Sequence, residues 1–162
     1  MLHTLSLIIS EDTDPRRNLA LEETLLRQVQ PGQCILYLWQ NQRTVVIGRN
    51  QHPTNECRVQ ALEADGGHLV RRLSGGGAVY HDLGNLNFTF LARTQGFSGE
   101  WAQILEPVLG ACQALGVRAS LSGRNDLTGP DGRKFSGNAR YERDGRLMHH
   151  GTLLISADLG AM

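Results

Sequence analysis

The chain has 162 residues, of which 40% are hydrophobic, and its 16 basic and 16 acidic residues cancel. This length suits one domain with a substantial core and is too short for two. A net charge of zero provides no broad electrostatic attraction to nucleic acid or to an anionic membrane, so we expect neither as a partner. Any recognition of phosphate must depend on a local cluster of charge.

We expect neither a signal peptide nor a membrane-spanning helix, because the apolar run at residues 5–9 is short and follows no basic region. The cysteines, Cys34, Cys57 and Cys112, form no C-x-x-C pair and leave one over in any disulfide scheme, which suits a reducing compartment. Each lies in an apolar pattern and is predicted to be a small buried side chain. The histidines show no zinc-binding spacing. The expected lack of a signal peptide and the cysteine pattern together predict a cytoplasmic protein.

In chain order, the first predicted element is a helix. It begins at Asp14 and Pro15, a cap followed by proline, and ends at Pro31. Residues 35–39 and 44–47 are apolar runs typical of strands, and a polar turn joins them.

A short helix containing Val59 and Leu62 comes next. It leads into a predicted strand at residues 69–73, which delivers the chain to three consecutive glycines. Beyond them, residues 86–90 alternate between apolar and polar side chains, as in a half-buried strand.

The strongest helical pattern covers residues 101–115, where apolar side chains fall on one stripe and Gly116 ends the element. Pro107 interrupts this pattern and predicts a kink or a late start. Two strong hairpin signals follow, Asp-Gly at residues 131–132 and again at 144–145. Hairpins combined with two long helices predict an α+β fold with a largely antiparallel or mixed sheet.

The segment around Gly75, Gly76 and Gly77 carries the most chemical information. Glycines can adopt positive φ and let successive backbone N–H groups approach one ligand, and Arg71 and Arg72 just before them supply charge. A nucleotide phosphate is the ligand that this combination favours. The spacing matches neither the P-loop nor the Rossmann motif, and a plain hairpin turn is the alternative.

Further motifs occur on both sides of the glycines. Together with the glycine segment itself, R-L-S-G-G-G-A-V-Y-H-D at 72–82, they are N-L-A-L-E-E at 18–23, V-V-I-G-R at 45–49, G-N-L-N-F at 84–88, G-R-N-D-L at 123–127, R-K-F-S-G-N-A at 133–139 and H-H-G-T-L-L at 149–154. In order and spacing they closely resemble the lipoate–protein ligase family. The resemblance extends over essentially the whole chain, from about residue 5 to about residue 159.

The resemblance implies the α+β catalytic domain shared by biotin and lipoate protein ligases. Family ligases continue well past the strand at residues 149–152, completing the large domain with further helices and usually adding an accessory domain. Residues 1–162 are therefore expected to form the catalytic domain without the C-terminal part of the large domain and without the accessory domain.

The resemblance also implies the chemistry. Lipoic acid would be activated by ATP, with Mg²⁺, to lipoyl-AMP, and the lipoyl group would pass to a lysine. The implied acceptors are the lipoyl domains of the E2 subunits of 2-oxo acid dehydrogenase complexes and the glycine cleavage H protein. A complementary accessory polypeptide is a further expected partner.

Lys134 is the first catalytic candidate, because the family lysine in the K-x-S-G-x-A motif contacts both the lipoyl carbonyl and the α-phosphate. A carboxylate that approaches a phosphate needs a fixed positive charge between them. The alternative for a lysine beside a hairpin turn is a solvated surface position. For the adenylate, the resemblance implies Arg72 and the backbone of four residues, Gly77, Ala78, Val79 and Tyr80.

Asn125 and Asp126 are expected to orient phosphate, with Asp126 a possible ligand of Mg²⁺. Their alternative is an ordinary Asn-Asp turn. Ser74, Gly76 and His150, together with the catalytic lysine, are the implied lipoate-binding residues. The neighbouring histidine, on the opposite face of its strand, is expected to be structural.

Two other functions stay open. Octanoyl and lipoyl transferases of the same fold use a cysteine thioester, but no cysteine follows Cys112 and that residue lies on an apolar helical stripe. The second is a truncated domain that binds lipoyl-adenylate or a partner protein without completing catalysis.

Overall fold

The computed structural model describes residues 2–95, 99–123, 125–158 and 160. Within them the helices are α1 Pro15–Gln28, α2 Pro53–Glu56, α3 Val59–Ala64 and α4 Trp101–Ala114. The strands are β1 Thr4–Ile9, β2 Gln33–Trp39, β3 Thr44–Ile47, β4 His68–Arg71, β5 Val79–His81, β6 Asn85–Arg93, β7 Ser120–Ser122, β8 Asp126–Thr128, β9 Lys134–Arg143 and β10 Arg146–Leu154. In this part of the chain, no helix has the length and apolar character needed to cross a membrane.

The strands form two sheets. The larger sheet has the order β1-β2-β6-β10-β9-β8-β7, in which only the β1–β2 pair is parallel. The smaller sheet has the order β4-β3-β5, with β3 parallel to β4 and antiparallel to β5. Mixed sheets packed by helices confirm the predicted α+β class.

The start of α1 follows from its local sequence. The Asp14 carboxylate accepts a hydrogen bond from the Arg16 N–H at 2.8 Å, and Pro15 occupies the first turn, where its missing N–H costs nothing. The helix ends at Gln28, just before the predicted stop at Pro31. Leu25 and Leu26 pack its inner face against the large sheet.

Three transverse rows of the large sheet lie on the face that α1 covers, because directly paired strand residues share a face. The first row is apolar and belongs to the core: Ile35, Leu91, Met148 and Tyr141. The second is largely polar: Tyr37, Thr89, His150 and Ala139. The third is Trp39, Asn87 and Thr152. Polarity therefore rises along this face, away from the core.

The strand pairing corrects two expectations. The strands predicted at residues 35–39 and 44–47 exist, but they belong to different sheets. The plain-hairpin alternative for the three glycines is wrong, because β4 and β5 flank β3 and do not pair with each other. In addition, β4 ends at Arg71, so Arg72 lies outside the strand in which it was predicted.

Helix α4 differs from the predicted helix in two respects. It begins at Trp101 and continues through Pro107, so the late start is wrong. Ile104, Leu105 and Val108 are buried, but Leu115, which follows the last helical residue Ala114, is 82% exposed. Gly116 follows with φ of 79°, the left-handed stop that the sequence predicted.

Both predicted Asp-Gly turns are confirmed. Asp144 and Gly145 join β9 to β10 with φ of 53° and 68°, and Gly132 between β8 and β9 has φ of 76°. The prediction of buried cysteines is wrong, since Cys34, Cys57 and Cys112 are all partly exposed free thiols.

Candidate active site

A cavity of about 210 Å³ lies between the polar part of the large sheet and the small sheet. Its floor includes the third row, Trp39, Asn87 and Thr152. Val46 on β3 and His81 on β5 contribute to the opposite wall. The remaining lining residues are Leu19, Arg72, Gly76, Gly77, Ala78, Val79, Asn125, Lys134, Gly137, Asn138, Ala139, His150 and Gly151.

The side chain of Arg72 binds the backbone of the glycine loop. Its side chain is buried, and Nη2 donates to the carbonyl oxygens of Gly75 at 2.9 Å and Gly77 at 2.7 Å. Nη1 donates to Val46 O at 3.1 Å, and Nε donates to Ser74 Oγ at 3.1 Å. Burial lowers the pKa of this guanidinium, whereas the Glu22 carboxylate acts to raise it. The guanidinium thus binds two backbone carbonyls of the glycine loop at once.

The glycines are required by this geometry at two positions. Gly76 has φ of 101°, which side chains with a Cβ rarely adopt. Gly48 lies directly against the Gly76 carbonyl, and a Cβ on Gly48 would overlap that oxygen. Gly77 has open space where a side chain would project. The loop therefore presents bare backbone to the cavity.

Lys134 begins β9 at the mouth of the cavity, beside a register irregularity in the β8–β9 pairing. Its Nζ lies 2.9 Å from Asp126 Oδ1, and its side chain is 53% exposed. The same Nζ packs next to Gly137, 3.1 Å from where a Cβ would stand. The next residue, Phe135, instead packs against an apolar cluster that includes Phe88, Leu105 and Leu127. The cation is accessible to a ligand in the cavity.

Asn125 ties the loop before β8 to β9. Its Nδ2 donates to Asn138 O at 2.6 Å, and Asn138 Nδ2 donates to Asn125 O at 2.9 Å. Arg124, which belongs to the same sequence motif, lies outside the described residues.

A chain of buried hydrogen bonds supports the cavity from behind. His150 Nε2 lies 2.6 Å from Ser74 Oγ, and His150 Nδ1 lies 2.9 Å from Glu22 Oε1. The same carboxylate oxygen accepts from Thr89 Oγ1 at 2.6 Å, and Trp39 Nε1 donates to Thr89 Oγ1 at 3.1 Å. Because Ser74 Oγ accepts from the arginine, its own proton is free to go to His150.

Two other histidines are buried and uncharged. Burial is the main cause that lowers the pKa of both His81 and His149 to about 3. His149 packs edge-to-face against Trp101 with ring centroids 4.9 Å apart and an interplanar angle of 71°, and its Nε2 lies 3.2 Å from Asn138 Oδ1. These contacts agree with the structural role predicted for His149.

The family assignment rests on comparisons with known proteins. The model of the lipoyl protein ligase A/B catalytic domain matches residues 14–162. This chain belongs to that family. It is 34% identical to Plasmodium falciparum LipL1, solved in complex with lipoate, with a TM-score of 0.83. The match covers 96% of this chain and 50% of LipL1.

Two further structures agree. The bipartite lipoate protein ligase of Thermoplasma acidophilum, studied with its E2 lipoyl domain, is 32% identical with a TM-score of 0.83, and the match covers 98% of this chain and 64% of that one. Lipoate-protein ligase A bound with ATP is 29% identical with a TM-score of 0.85, covering 99% and 69%. The chain thus spans between half and about two thirds of these relatives.

Most of the residues predicted from the lipoate–protein ligase motifs meet at the cavity. Its lining contains, from that prediction, Arg72, Gly76, Gly77, Ala78, Val79, Asn125, Lys134 and His150. Three others lie just outside the lining. Ser74 is hydrogen-bonded to His150, which lines the cavity, and Asp126 is paired with Lys134, which also lines it. Tyr80 lies on β5 between the lining residues Val79 and His81.

Sequence reasoning missed the buried partners of these residues. Glu22 and Thr89 were assigned no role, and neither were Asn87 and His81, which line the cavity. One signal for Glu22 was present: Asn18, Glu22 and Leu25 recur at helical spacing on the buried stripe of α1. Polar residues on such a stripe need buried partners.

Proposed function

We propose that this domain activates lipoate with ATP to lipoyl-AMP and takes part in transferring the lipoyl group to a lysine of lipoyl domains. The observation that carries the proposal is an accessible lysine at the mouth of a cavity bordered by bare glycine backbone. In the solved relatives, lipoate is bound to LipL1 and ATP to lipoate-protein ligase A.

Lys134 is proposed to bridge the two anions. As the carboxylate of lipoate attacks the α-phosphate of ATP, a carboxylate–phosphorus bond forms and the bond to pyrophosphate breaks. Negative charge increases on the phosphoryl oxygens, and a cation already in place stabilises it without reorganisation. The exposed pair with Asp126 is a weak competitor for that cation, since such pairs contribute about 0–1 kcal/mol.

The glycine loop is proposed to hold the adenylate. Gly77, Ala78 and Val79 line the cavity, and the carbonyls of Gly75 and Gly77 are already occupied by Arg72. Turning carbonyls away from an anion removes a repulsive interaction and favours the approach of backbone N–H groups. We assign Arg72 this indirect role in adenylate binding. Tyr80, outside the lining, is proposed to contribute through its backbone only.

Mg²⁺ is proposed to arrive with ATP. Among the residues that the structure describes, no group of three or more His, Cys, Asp or Glu side chains could hold a metal ion. Asp126 offers one carboxylate beside Lys134, and Mg²⁺ is usually bound by one or two carboxylates together with substrate phosphates. This donor set fits a nucleotide-borne ion, which would neutralise phosphate charge.

Lipoyl domains of E2 subunits and the glycine cleavage H protein are the proposed acceptors, and a complementary polypeptide is a proposed partner. The bipartite relative from T. acidophilum, studied with its E2 lipoyl domain, supports both a lipoyl-domain acceptor and a second polypeptide. An apolar strip on the edge strand β1 also supports a partner polypeptide: its side chains Leu5, Leu7 and Ile9 are 68%, 57% and 64% exposed. Apolar strips of this kind often mark protein interfaces.

The acyltransferase alternative requires a thiol near the catalytic lysine. None of the three cysteines lines the cavity. Cys34 is paired in register with Ala92 on the face of the large sheet opposite α1, and Cys112 is on α4. Burial raises the pKa of both thiols, which disfavours the thiolate that a transferase needs.

Lipoate-dependent exchange of labelled pyrophosphate into ATP tests the proposal. The wild-type domain, with its complementary polypeptide if one is required, should catalyse exchange that depends on lipoate. Lipoyl-adenylate binding without exchange would instead favour the non-catalytic domain. Transfer from octanoyl thioesters without ATP would favour the transferase.

A further inference from the structure

Arg71, the first of the two arginines before the glycines, does not line the cavity. Its Nη1 instead donates to three backbone carbonyls of one short loop, residues 48–51. The distances are 3.0 Å to Gly48 O, 3.1 Å to Arg49 O and 2.7 Å to Gln51 O. Carbonyl oxygens that converge on one point repel one another unless a donor lies between them, so the shape of this loop depends on the guanidinium.

The loop of residues 48–51 is also closed by its own hydrogen bonds. The N–H of Gln51 donates to Gly48 O at 3.1 Å, and the N–H of Gly48 donates to Gln51 Oε1 at 2.7 Å. With Arg71 bound to its carbonyls, the loop is a closed turn that we expect to move as one unit.

This turn and the glycine loop leave the small sheet side by side. The parallel strands β3 and β4 end at Ile47 and Arg71, which are directly paired. Ile47 O also accepts from the N–H of Arg72 at 3.0 Å. Ligand sites commonly form where loops follow the carboxyl ends of neighbouring parallel strands.

The turn supports the glycine loop directly. The N–H of Arg49 donates to Ser74 O at 2.9 Å. Gly48 is buried and packs so closely against Gly76 O that a Cβ on Gly48 would overlap this oxygen. Gly76 and Gly77 in turn line the cavity. The position of this lining backbone therefore depends on the position of the turn.

We propose that Arg71 is a positioning residue for the nucleotide: by holding residues 48–51 in place, it sets the position of the Gly76 and Gly77 backbone. This role rests on the proposed function, which assigns the adenylate to that backbone. Arg72 binds the glycine loop itself, whereas Arg71 acts on it through the neighbouring turn. A displacement of about 1 Å in a site can cost on the order of a hundredfold in rate, so a support outside the cavity matters to the chemistry.

The test is the dependence of lipoate-dependent pyrophosphate exchange on each substrate, with the complementary polypeptide present if one is required. Arg71→Met should raise the KM for ATP roughly tenfold, the effect of losing hydrogen bonds to a charged donor. The KM for lipoate should change much less, because its carboxylate is assigned to Lys134 on the large sheet. Gln51→Ala, which frees the Gly48 N–H, should act in the same direction and replaces Arg71→Met if that variant does not fold.

Arg71→Lys should restore most of the affinity for ATP. All three bonds come from the single nitrogen Nη1, and an ammonium group also carries three donors. Arg43→Met is the matched control. Arg43 is an exposed arginine whose Nη1 donates to Asp65 O at 2.8 Å, before the opposite end of β3. Its loss should leave both KM values unchanged.

Amide hydrogen exchange of the ligand-free protein, followed by mass, provides a second measurement. Arg71→Met should accelerate exchange in residues 72–78, and Arg43→Met should not. Unchanged exchange there, or an equal rise in both KM values, would overturn the role of Arg71 while leaving the proposed function intact. Wild-type protein without lipoate-dependent pyrophosphate exchange would overturn the proposed function, and the role of Arg71 with it.

Discussion

Glu22 and His150 are 128 positions apart in sequence, yet Glu22 Oε1 and His150 Nδ1 lie 2.9 Å apart in the interior. The pair connects α1 to β10, and through Ser74 it reaches the loop that carries the glycines. A buried carboxylate with two hydrogen-bond partners thus fixes the orientation of a cavity-lining imidazole.

Replacing this carboxylate should loosen the site. Glu22→Ala leaves Thr89 and His150 without their buried acceptor, so we expect a loss of about 2–4 kcal/mol in the free energy of unfolding. Glu22→Gln, which keeps one acceptor oxygen, should lose less. Urea unfolding measures both. The partly exposed neighbour Glu23, which pairs with Arg27, is the matched control, and Glu23→Gln should change stability by less than about 1 kcal/mol.

Lys134→Ala should abolish lipoyl-adenylate formation without unfolding the protein. A charge donor aimed at a transition state is worth about 3–4 kcal/mol, whereas an exposed ion pair contributes little to stability. Lys134→Arg should fail as well, because a planar fork cannot replace a point charge between two anions. Pyrophosphate exchange and the melting temperature are the two measurements.

The control for the lysine variants is its neighbour Arg133, an 88% exposed cation paired with Asp131. Arg133→Ala should retain exchange activity. Wild-type exchange in Lys134→Ala would refute the assignment of Lys134 as the cation between lipoate and ATP.

Gly77→Val should separate ligand binding from folding. Gly77 lines the cavity and a Cβ there would meet no protein atom within 4 Å, so the added side chain should reduce ATP affinity, by roughly tenfold or more, with little change in melting temperature. Gly76→Val should lower both the ATP affinity and the melting temperature, because Gly76 has φ of 101°. Gly75→Val, also in open space but outside the lining, is the control. Equal losses of binding in the Gly75 and Gly77 variants would argue against a ligand-facing backbone.

Stability should fall on acidification because of the two buried histidines. His81 and His149 have folded-state pKa values of about 3, below the ordinary value of 6.5. Between these pH values the unfolded chain binds protons that the folded chain excludes. The contribution of the two neutral histidines to the free energy of unfolding is therefore complete above about pH 6.5 and is lost as the pH falls toward 3. Each histidine contributes a slope of up to about 1.4 kcal/mol per pH unit.

The measurement is urea unfolding at several pH values between 7 and 4. His149→Phe, which keeps a ring between Phe88 and Trp101, should reduce the slope. An identical slope in this variant would mean that His149 is protonated in the folded state.

The domain alone should adenylate lipoate poorly and should gain activity when a complementary polypeptide is supplied, because the adenylate must be shielded from water. The exposed apolar strip on β1 should also cause weak self-association. Leu7→Lys should suppress that association, since an exposed charge blocks edge pairing. Transfer to a lipoyl domain, followed by mass, and sedimentation velocity measure the two effects. Full turnover by the domain alone would contradict the first expectation.

Local sequence signals predicted the elements whose geometry depends on neighbouring residues. Asp14 and Pro15 determine the start of α1 through one side-chain acceptor and one fixed φ. The Asp144-Gly145 turn follows from the tolerance of both residues for positive φ. The family motifs, which are short and contiguous, likewise placed Lys134, Gly77 and most of the other predicted residues at one site.

Only the tertiary structure decided which strands pair and which buried groups meet. The choice of β3 as the partner of both β4 and β5 depends on how the two sheets pack, and no turn signal encodes it. The hydrogen bonds of Glu22 and of Arg71 join residues on separate elements. Sequence shows that such polar residues lie among apolar ones, but their partners are determined by the packing that brings distant segments within 3 Å, roughly the length of a hydrogen bond.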